Sequence, residues 1–395
     1  MKKTIRDVPL QGKTVFLRVD FNVPLDGERI TDDTRMVKAL PTIQWLREHG
    51  ARIVLASHLG RPKGEVDPRY SLRPVAAHLS QLLGVSVPLS EALVGPEVAE
   101  RIQSLQPGEL LMLENVRFHP GETKNDPELA KTWASYVDLF VNDAFGSAHR
   151  AHASTVGVGT YVPAVAGLLM ARELEVLGGV LKNPKRPLVA IVGGAKIKDK
   201  IGVLENLLGR VDRLLIGGGM ANTFLRAQGY DLGASLVEED QLETARKLMQ
   251  IAEERNVRMV LPQDVVVAEQ FSADAPHRVV PIGDIPAGWM ALDIGPQTVE
   301  AFREALQDAA MVIWNGPLGA FELKPFAQGT MAIAQALAAL SGEVIVGGGD
   351  SVAAVEAAGV AERIGHISTG GGATLEFLEG KTLPGVAVLE DLESI

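Results

Sequence analysis

The sequence predicts an α/β protein made of two doubly wound domains, each built on a parallel sheet. Three observations carry that expectation. Short apolar runs rich in Val, Ile and Leu recur along the chain, and runs of that continuity suit strands buried on both faces. Each run is followed by a loop and then by a segment with helical spacing, the alternation of doubly wound folds. The length of 395 residues exceeds what one hydrophobic core ordinarily holds, so two domains are expected.

In the first half the strand-like runs are TVFLRVDF (14–21), ARIVLASH (51–58), ELLMLENV (109–116) and DLFVNDAF (138–145). In the second half they are PLVAIVGG (187–194), RLLIGGG (213–219), VRMVLPQD (257–264), MVIWNGP (311–317), GEVIVGGG (342–349) and HISTGGG (366–372). Helical segments such as TRMVKALPTIQWLREHG and SVAAVEAAGVAERIG lie between them. The segment 168–187 reads as a helix stopped by Asn183-Pro184, and is the expected connector between domains. The Ala-rich TMAIAQALAALSG (330–342) is read as a helix packed into the core.

Composition narrows the function. The absence of cysteine excludes a disulfide scaffold, thiolate metal sites and cysteine nucleophiles, and fits a reducing cytosol. The start MKKTIRDVPLQGK is basic without an apolar core behind it, so no secretory signal is expected. No uncharged apolar stretch is long enough to span a bilayer. A formal charge of −11 argues against a broad nucleic-acid surface. Any anion site must therefore be a local concentration of positive charge.

Ligands of open α/β sheets bind outside the carboxyl ends of the strands. In the first half those ends carry Asp20-Phe21-Asn22, His58-Leu59-Gly60-Arg61, Arg117 and the run His149-Arg150-Ala151-His152, with Arg35 where a helix begins. Four arginines and three histidines at one sheet edge point to a small ligand with at least two anionic groups, because a guanidinium fork matches carboxylate and phosphate oxygens in pairs. The H-x-x-H pair has no cysteine or acidic cluster beside it, so a zinc site is disfavoured, and Asp20 serves equally well as a turn cap.

The strand ends of the second half are glycine-rich: Gly193-Gly194, Gly217-Gly218-Gly219, Gly347-Gly348-Gly349 and Gly370-Gly371-Gly372. Glycine lets backbone N–H groups approach an anion, and a following helix N-terminus adds favourable partial charge. Lys196 and Lys200 are expected to share one face of a helix that starts near Gly194. Asp350 reads both as a helix cap and as a carboxylate for the Mg²⁺ that accompanies nucleotide phosphates. There is no Walker loop, no protein-kinase motif set and no nucleophile elbow. The residues thus describe phosphoryl transfer between a nucleotide and a small anion. A two-domain anion-binding protein without catalysis and a nicotinamide dehydrogenase are the rival classes.

RVDFNVP (18–24), SHLGRP (57–62), ENVRF (114–118), FGSAHRAHAS (145–154), GGAKIKDKI (193–201), WNGPLGAFE (314–322), GGGDS (347–351) and STGGGA (368–373) occur in the order found in phosphoglycerate kinases, which the chain resembles from end to end. The resemblance implies two Rossmann-like domains facing each other across a cleft, 1–167 with a returning segment 382–395 for phosphoglycerate, and 168–381 for nucleotide. It implies reversible transfer from ATP to 3-phosphoglycerate by a monomeric, cytoplasmic enzyme with Mg²⁺, whose partners are small molecules and neither nucleic acid nor membrane. Asp20, Asn22, Arg35, His58, Leu59, Gly60, Arg61, Arg117, His149, Arg150 and His152 would line the phosphoglycerate site. Lys196, Lys200, Gly217, Gly218, Ala291, Asn315, Glu322, Gly348, Gly349, Asp350 and Ser351 would bind nucleotide. Arg35, Lys196, Lys200, Gly349, Gly371 and Gly372 would serve the group in transit. Two positions depart from the family: Ala291 stands where Gly is common, and Ser351 where Thr is common.

Overall fold

The computed structural model describes residues 1–393, and its contacts divide them into two compact units. The first is Met1–Glu175 together with the segment that begins at Thr382; the second is Val176–Lys381. The division falls inside the helix Leu168–Lys182. Residues 394 and 395 of the expected returning segment lie outside the described residues.

The strands of the first unit are β1 (Thr14–Arg18), the hairpin β2 (Leu25–Asp26) and β3 (Arg29–Ile30), β4 (Arg52–Ala56), β5 (Leu89–Ser90), β6 (Leu110–Leu113), β7 (Leu139–Asn142) and β8 (Ala164–Ala166). Six of them form one sheet in the order β5-β6-β4-β1-β7-β8, and every pairing in it is parallel. β1 is buried at every residue, which explains its unbroken apolar run and places it centrally. From β1 the chain moves to β4 on one side and later to β7 on the other, so β1 is the topological switch point, where such sheets bind ligands. The core above it joins Val15, Leu17, Ile43, Leu46, Ile53 and Leu55. The C-terminal segment closes this unit: Lys3 N–H donates to Glu390 O at 2.8 Å, Leu392 N–H to Met1 O at 2.8 Å, and Asn142 Nδ2 to Gly385 O at 3.1 Å.

The second unit contributes β9 (Leu188–Val192), β10 (Arg213–Ile216), β11 (Arg258–Val260), β12 (Asp264–Ala268), β13 (His277–Pro281), β14 (Met290–Ile294), β15 (Met311–Asn315), β16 (Glu343–Gly347) and β17 (His366–Ile367). Its parallel sheet runs β11-β10-β9-β15-β16-β17, with the switch between β9 and β15. Trp314 and Phe302, fully buried, fill the core on one side. β12, β13 and β14 form a separate antiparallel sheet in the order β13-β12-β14, which the sequence reading did not anticipate. Among the described residues no helix is long and apolar enough to cross a membrane.

Candidate functional site

At the carboxyl edge of the first sheet, β1 ends in Arg18, which is completely buried although charged. Its Nε donates to Ser154 Oγ at 2.8 Å, its Nη1 to the Val19 carbonyl, and its Nη2 to His58 Nδ1 at 2.9 Å. Buried Glu122 supplies the counter-charge through Ser154, accepting the Ser154 N–H at 2.7 Å and its hydroxyl at 2.6 Å. A charge can be buried only when paired and hydrogen-bonded, and this chain of contacts meets that requirement.

The loops beyond the strand ends are tied to one another. Gly60 N–H donates to Asn22 Oδ1 at 3.0 Å, and Arg117 Nη1 donates to Gly60 O at 3.0 Å. Buried Asn115 holds the same loops with Nδ2 bonds to Leu59 O (2.7 Å) and Tyr70 O (2.9 Å). Arg35, in the first turn of the helix Thr34–Glu48, donates to Asn22 O at 2.9 Å and lies 3.5 Å from Asp20 Oδ1. Arg61 and Arg150 are exposed at the edge.

Electrostatics show which groups share one region. Burial holds His58 well below its usual value, and Arg18, Arg117, Arg35 and His152 press it the same way. Burial, then Arg117, Arg18, Arg150 and His149, lower His152 to about 4. Burial also lowers Arg117, with Arg18 and Arg61 adding to it and Glu122 and Asp20 opposing. The expectation that all three histidines add positive charge is therefore corrected. His58 and His152 are neutral at pH 7, because desolvation and surrounding guanidinium groups disfavour the imidazolium; the arginines carry the charge. Arg18, Glu122, Ser154 and Asn115 were not singled out from sequence. The available signal was a lone arginine inside an apolar strand.

In the second unit a pocket of about 560 Å³ opens between the ends of the parallel strands and the antiparallel sheet. Gly218, Ala291, Glu322 and Asp350, all expected, line it, and so do Leu236, Phe271, Leu318 and Asp293, which were not. Burial pushes the Asp293 carboxyl up to about 8, although it accepts N–H bonds from Ile294 and Gly329. Gly218 has φ +76°, and a Cβ there would lie 2.6 Å from Gly194 O, so only glycine fits this turn into the helix Gly219–Ala227. Gly217 is buried against Leu318.

Lys200 Nζ donates to Asn315 Oδ1, and Asn315 Nδ2 in turn donates to Gly347 O at 3.2 Å, beside Gly348. Burial lowers the Lys200 ammonium, while Asp199, Asp350 and Glu379 oppose that shift. Lys196 does not share a helix face with Lys200, contrary to expectation. The helix begins only at Ile201; the stretch before it is a turn in which Glu238 accepts the N–H groups of Ile197 and Lys198. Lys196 is exposed in the preceding loop. Ser351 is fully buried, its Oγ accepting the Gly316 N–H at 2.7 Å. Gly349 and exposed Asp350 open the helix Gly349–Ala357, and Gly371 and Gly372 open the helix Gly372–Leu378.

There are thus two switch-point sites on two parallel sheets, one arginine-rich and one glycine-lined with a half-buried lysine. A family model described as phosphoglycerate kinase matches residues 5–381. The chain belongs to the phosphoglycerate kinase family. Phosphoglycerate kinases of Moorella thermoacetica and Chloroflexus aurantiacus are each 60% identical to it, covering 99% of this chain and 99% and 100% of theirs. The solved phosphoglycerate kinase of Coxiella burnetii is 45% identical with a TM-score of 0.91, covering 98% of each chain. That of Pyrococcus horikoshii is 35% identical with a TM-score of 0.83, at the same coverage. Full-length likeness at this level makes the chain a phosphoglycerate kinase-type phosphotransferase and disfavours an anion-binding protein without catalysis.

Proposed function

We infer that the chain transfers a phosphoryl group reversibly between ATP and the carboxylate of 3-phosphoglycerate, giving ADP and 1,3-bisphosphoglycerate. The observation that carries the reading is the cationic edge of the first sheet. Arg18, Arg35, Arg61, Arg117 and Arg150 gather there in a chain of formal charge −11. Arg35, Arg61, Arg117 and Arg150, with Asp20, Asn22, His58, Leu59, Gly60, His149 and His152, bind the phosphoglycerate. The pocket of the second unit takes the nucleotide, with the base against Ala291 and Leu318, the ribose at Glu322, and the phosphates towards Lys196, Lys200, Asn315, Gly348, Gly349 and Ser351.

The acceptor carboxylate is already ionised at neutral pH, so no general base is needed. Catalysis then consists of aligning two anions and neutralising the charge on the phosphoryl oxygens with Lys200, Arg35 and the N–H groups of Gly349, Gly371 and Gly372. Among the described residues no cluster of three acidic or imidazole groups is arranged to hold a metal, whereas Asp350 stands exposed at the pocket. One carboxylate fits Mg²⁺, which keeps several waters and is otherwise held by substrate phosphates. Asp350 would hold that ion, whose bound charge offsets the phosphate oxygens. In-line transfer requires both substrates to meet away from water, so the reading includes closure of the two units around the connecting helix. It extends to a monomer in the cytoplasm, with sedimentation velocity testing the first point.

The decisive test is ATP formation from ADP and 1,3-bisphosphoglycerate with Mg²⁺, measured through a coupled reaction. Turnover that disappears in Lys200→Ala supports the reading. Binding of either substrate without ATP formation would leave an anion-binding protein instead.

A further inference from the structure

Arg18 has no exposed surface, so its guanidinium meets no ligand from solvent, yet each of its nitrogens is committed. An arginine side chain donates only. The 2.9 Å contact between Arg18 Nη2 and His58 Nδ1 therefore makes Nδ1 an acceptor, and the single proton of the neutral imidazole sits on Nε2. Ser154 completes the chain: its hydroxyl accepts from Arg18 Nε and passes its own proton towards Glu122 Oε2 at 2.6 Å. Glu122 and Ser154, both without exposed surface, fix where the guanidinium lies.

We propose that Arg18 is a positioning residue that locks His58 as the neutral Nε2–H tautomer, so that His58 meets the anionic substrate only as a hydrogen-bond donor. This rests on the reading of His58 as a substrate ligand given above. The opposite tautomer would turn a lone pair towards an anionic oxygen and repel it. The charged and titratable groups facing His58 are Arg18 on β1, Arg117 beyond β6, Arg35 at the start of the helix Thr34–Glu48, and His152 beyond β7. None of them is negative, so nothing nearby favours the imidazolium. The site keeps a donor whose state does not change across the neutral pH range.

The test uses the full chain labelled with ¹⁵N at histidine, with the His58 signals identified by their loss in His58→Gln. The wild type should show the neutral Nε2–H pattern unchanged between about pH 5 and pH 8. A proton on Nδ1, or titration within that range, overturns the proposal without any variant of Arg18. In Arg18→Met, His58 should show both tautomers and titrate at a higher pH than in the wild type, still below its ordinary value of about 6.5 because burial, Arg117 and Arg35 continue to oppose the imidazolium. KM for 3-phosphoglycerate should rise roughly ten- to a hundredfold at neutral pH, the loss of one hydrogen bond to a charged group, and recover as acid protonates His58. Arg18→Lys, whose ammonium still donates to Nδ1, should keep the wild-type spectrum and most of the affinity, and it serves if Arg18→Met does not fold. A pH-independent loss in Arg18→Met with an unchanged His58 spectrum overturns the proposal. If the wild-type tautomer is as stated but His58→Gln leaves KM unchanged, the substrate role of His58 fails instead, and the functional half of the proposal with it.

Discussion

Asp143→Asn is expected to stabilise the protein above pH 6 and to change little near pH 4, and the structure sets the size of the effect. Asp143 follows β7 and is almost fully buried; its Oδ1 accepts the N–H groups of Leu169 at 3.0 Å and Met170 at 3.2 Å, where the helix Leu168–Lys182 begins. Gly167 passes so close that a Cβ there would lie 2.0 Å from Asp143 Oδ1. Burial pushes the carboxyl up to about 6 from its ordinary 3.8, in spite of those N–H donors. The native state therefore binds the proton more tightly than the unfolded chain does. Its destabilising effect is absent below the unfolded value, grows as pH rises past it, and is complete above about 6. At roughly 1.4 kcal/mol per unit, the full effect is about 3 kcal/mol. Asparagine keeps one oxygen for the two N–H donors and never ionises. Urea unfolding of both proteins from about pH 4 to pH 8 should give curves that separate through that window by about 3 kcal/mol. Parallel curves, differing by less than about 1 kcal/mol across it, would refute the reasoning.

Other substitutions probe the site itself. Glu122→Gln takes from the buried Arg18 guanidinium its main counter-charge, leaving only Asp20, and should cost about 3 kcal/mol in urea unfolding; a loss under about 1 kcal/mol would show that the pair is not what permits the burial. Arg35→Ala should lower kcat by several orders of magnitude, a few kcal/mol of transition-state stabilisation. Its stability should stay within about 1 kcal/mol, because its ion pair with Asp20 is long, its side chain is 41% exposed and its one short bond, to Asn22 O, is a single contact at the surface; a near-normal kcat with only a raised KM would remove it from catalysis. Lys200→Ala should lose most turnover while ADP binding survives, and Lys200→Arg should not restore it, since a planar fork cannot take the place of a compact ammonium against Asn315. Small-angle scattering should give a smaller radius of gyration with both substrates than with either alone; an unchanged radius would exclude closure.

The two parallel sheets were legible because their strands are buried on both faces and so read as unbroken apolar runs. β13 gave no such signal: four of its five residues are exposed, and its antiparallel partner β12 follows β11 almost without a break. The strand-end arginines and glycines were legible because doubly wound folds present those positions to ligands. The link from Arg18 to Ser154 was not, since it joins residues 136 positions apart and exists only once the sheet has formed. The apolar wall of the second unit's pocket, with Leu236, Phe271 and Leu318, is written in residue types that sequence reading assigns to the core. Lys196 and Lys200 misled because the spacing suited a helix, while the stretch is a turn tied to Glu238, a contact 41 positions along the chain that spacing cannot show.

The first unit takes its last strand-side contacts from residues beyond Thr382, whereas the second is one unbroken stretch, Val176–Lys381. The order in which the units can be finished during synthesis follows from that. A chain emerging from a ribosome ordinarily completes its N-terminal domain first. Here the later-made unit has all its parts while the earlier one still waits for the segment that bonds to Met1, Lys3, Asn142 and Ala148. A chain ended at Lys381 and released should therefore carry a protease-resistant second unit behind a first unit that is still open to cleavage.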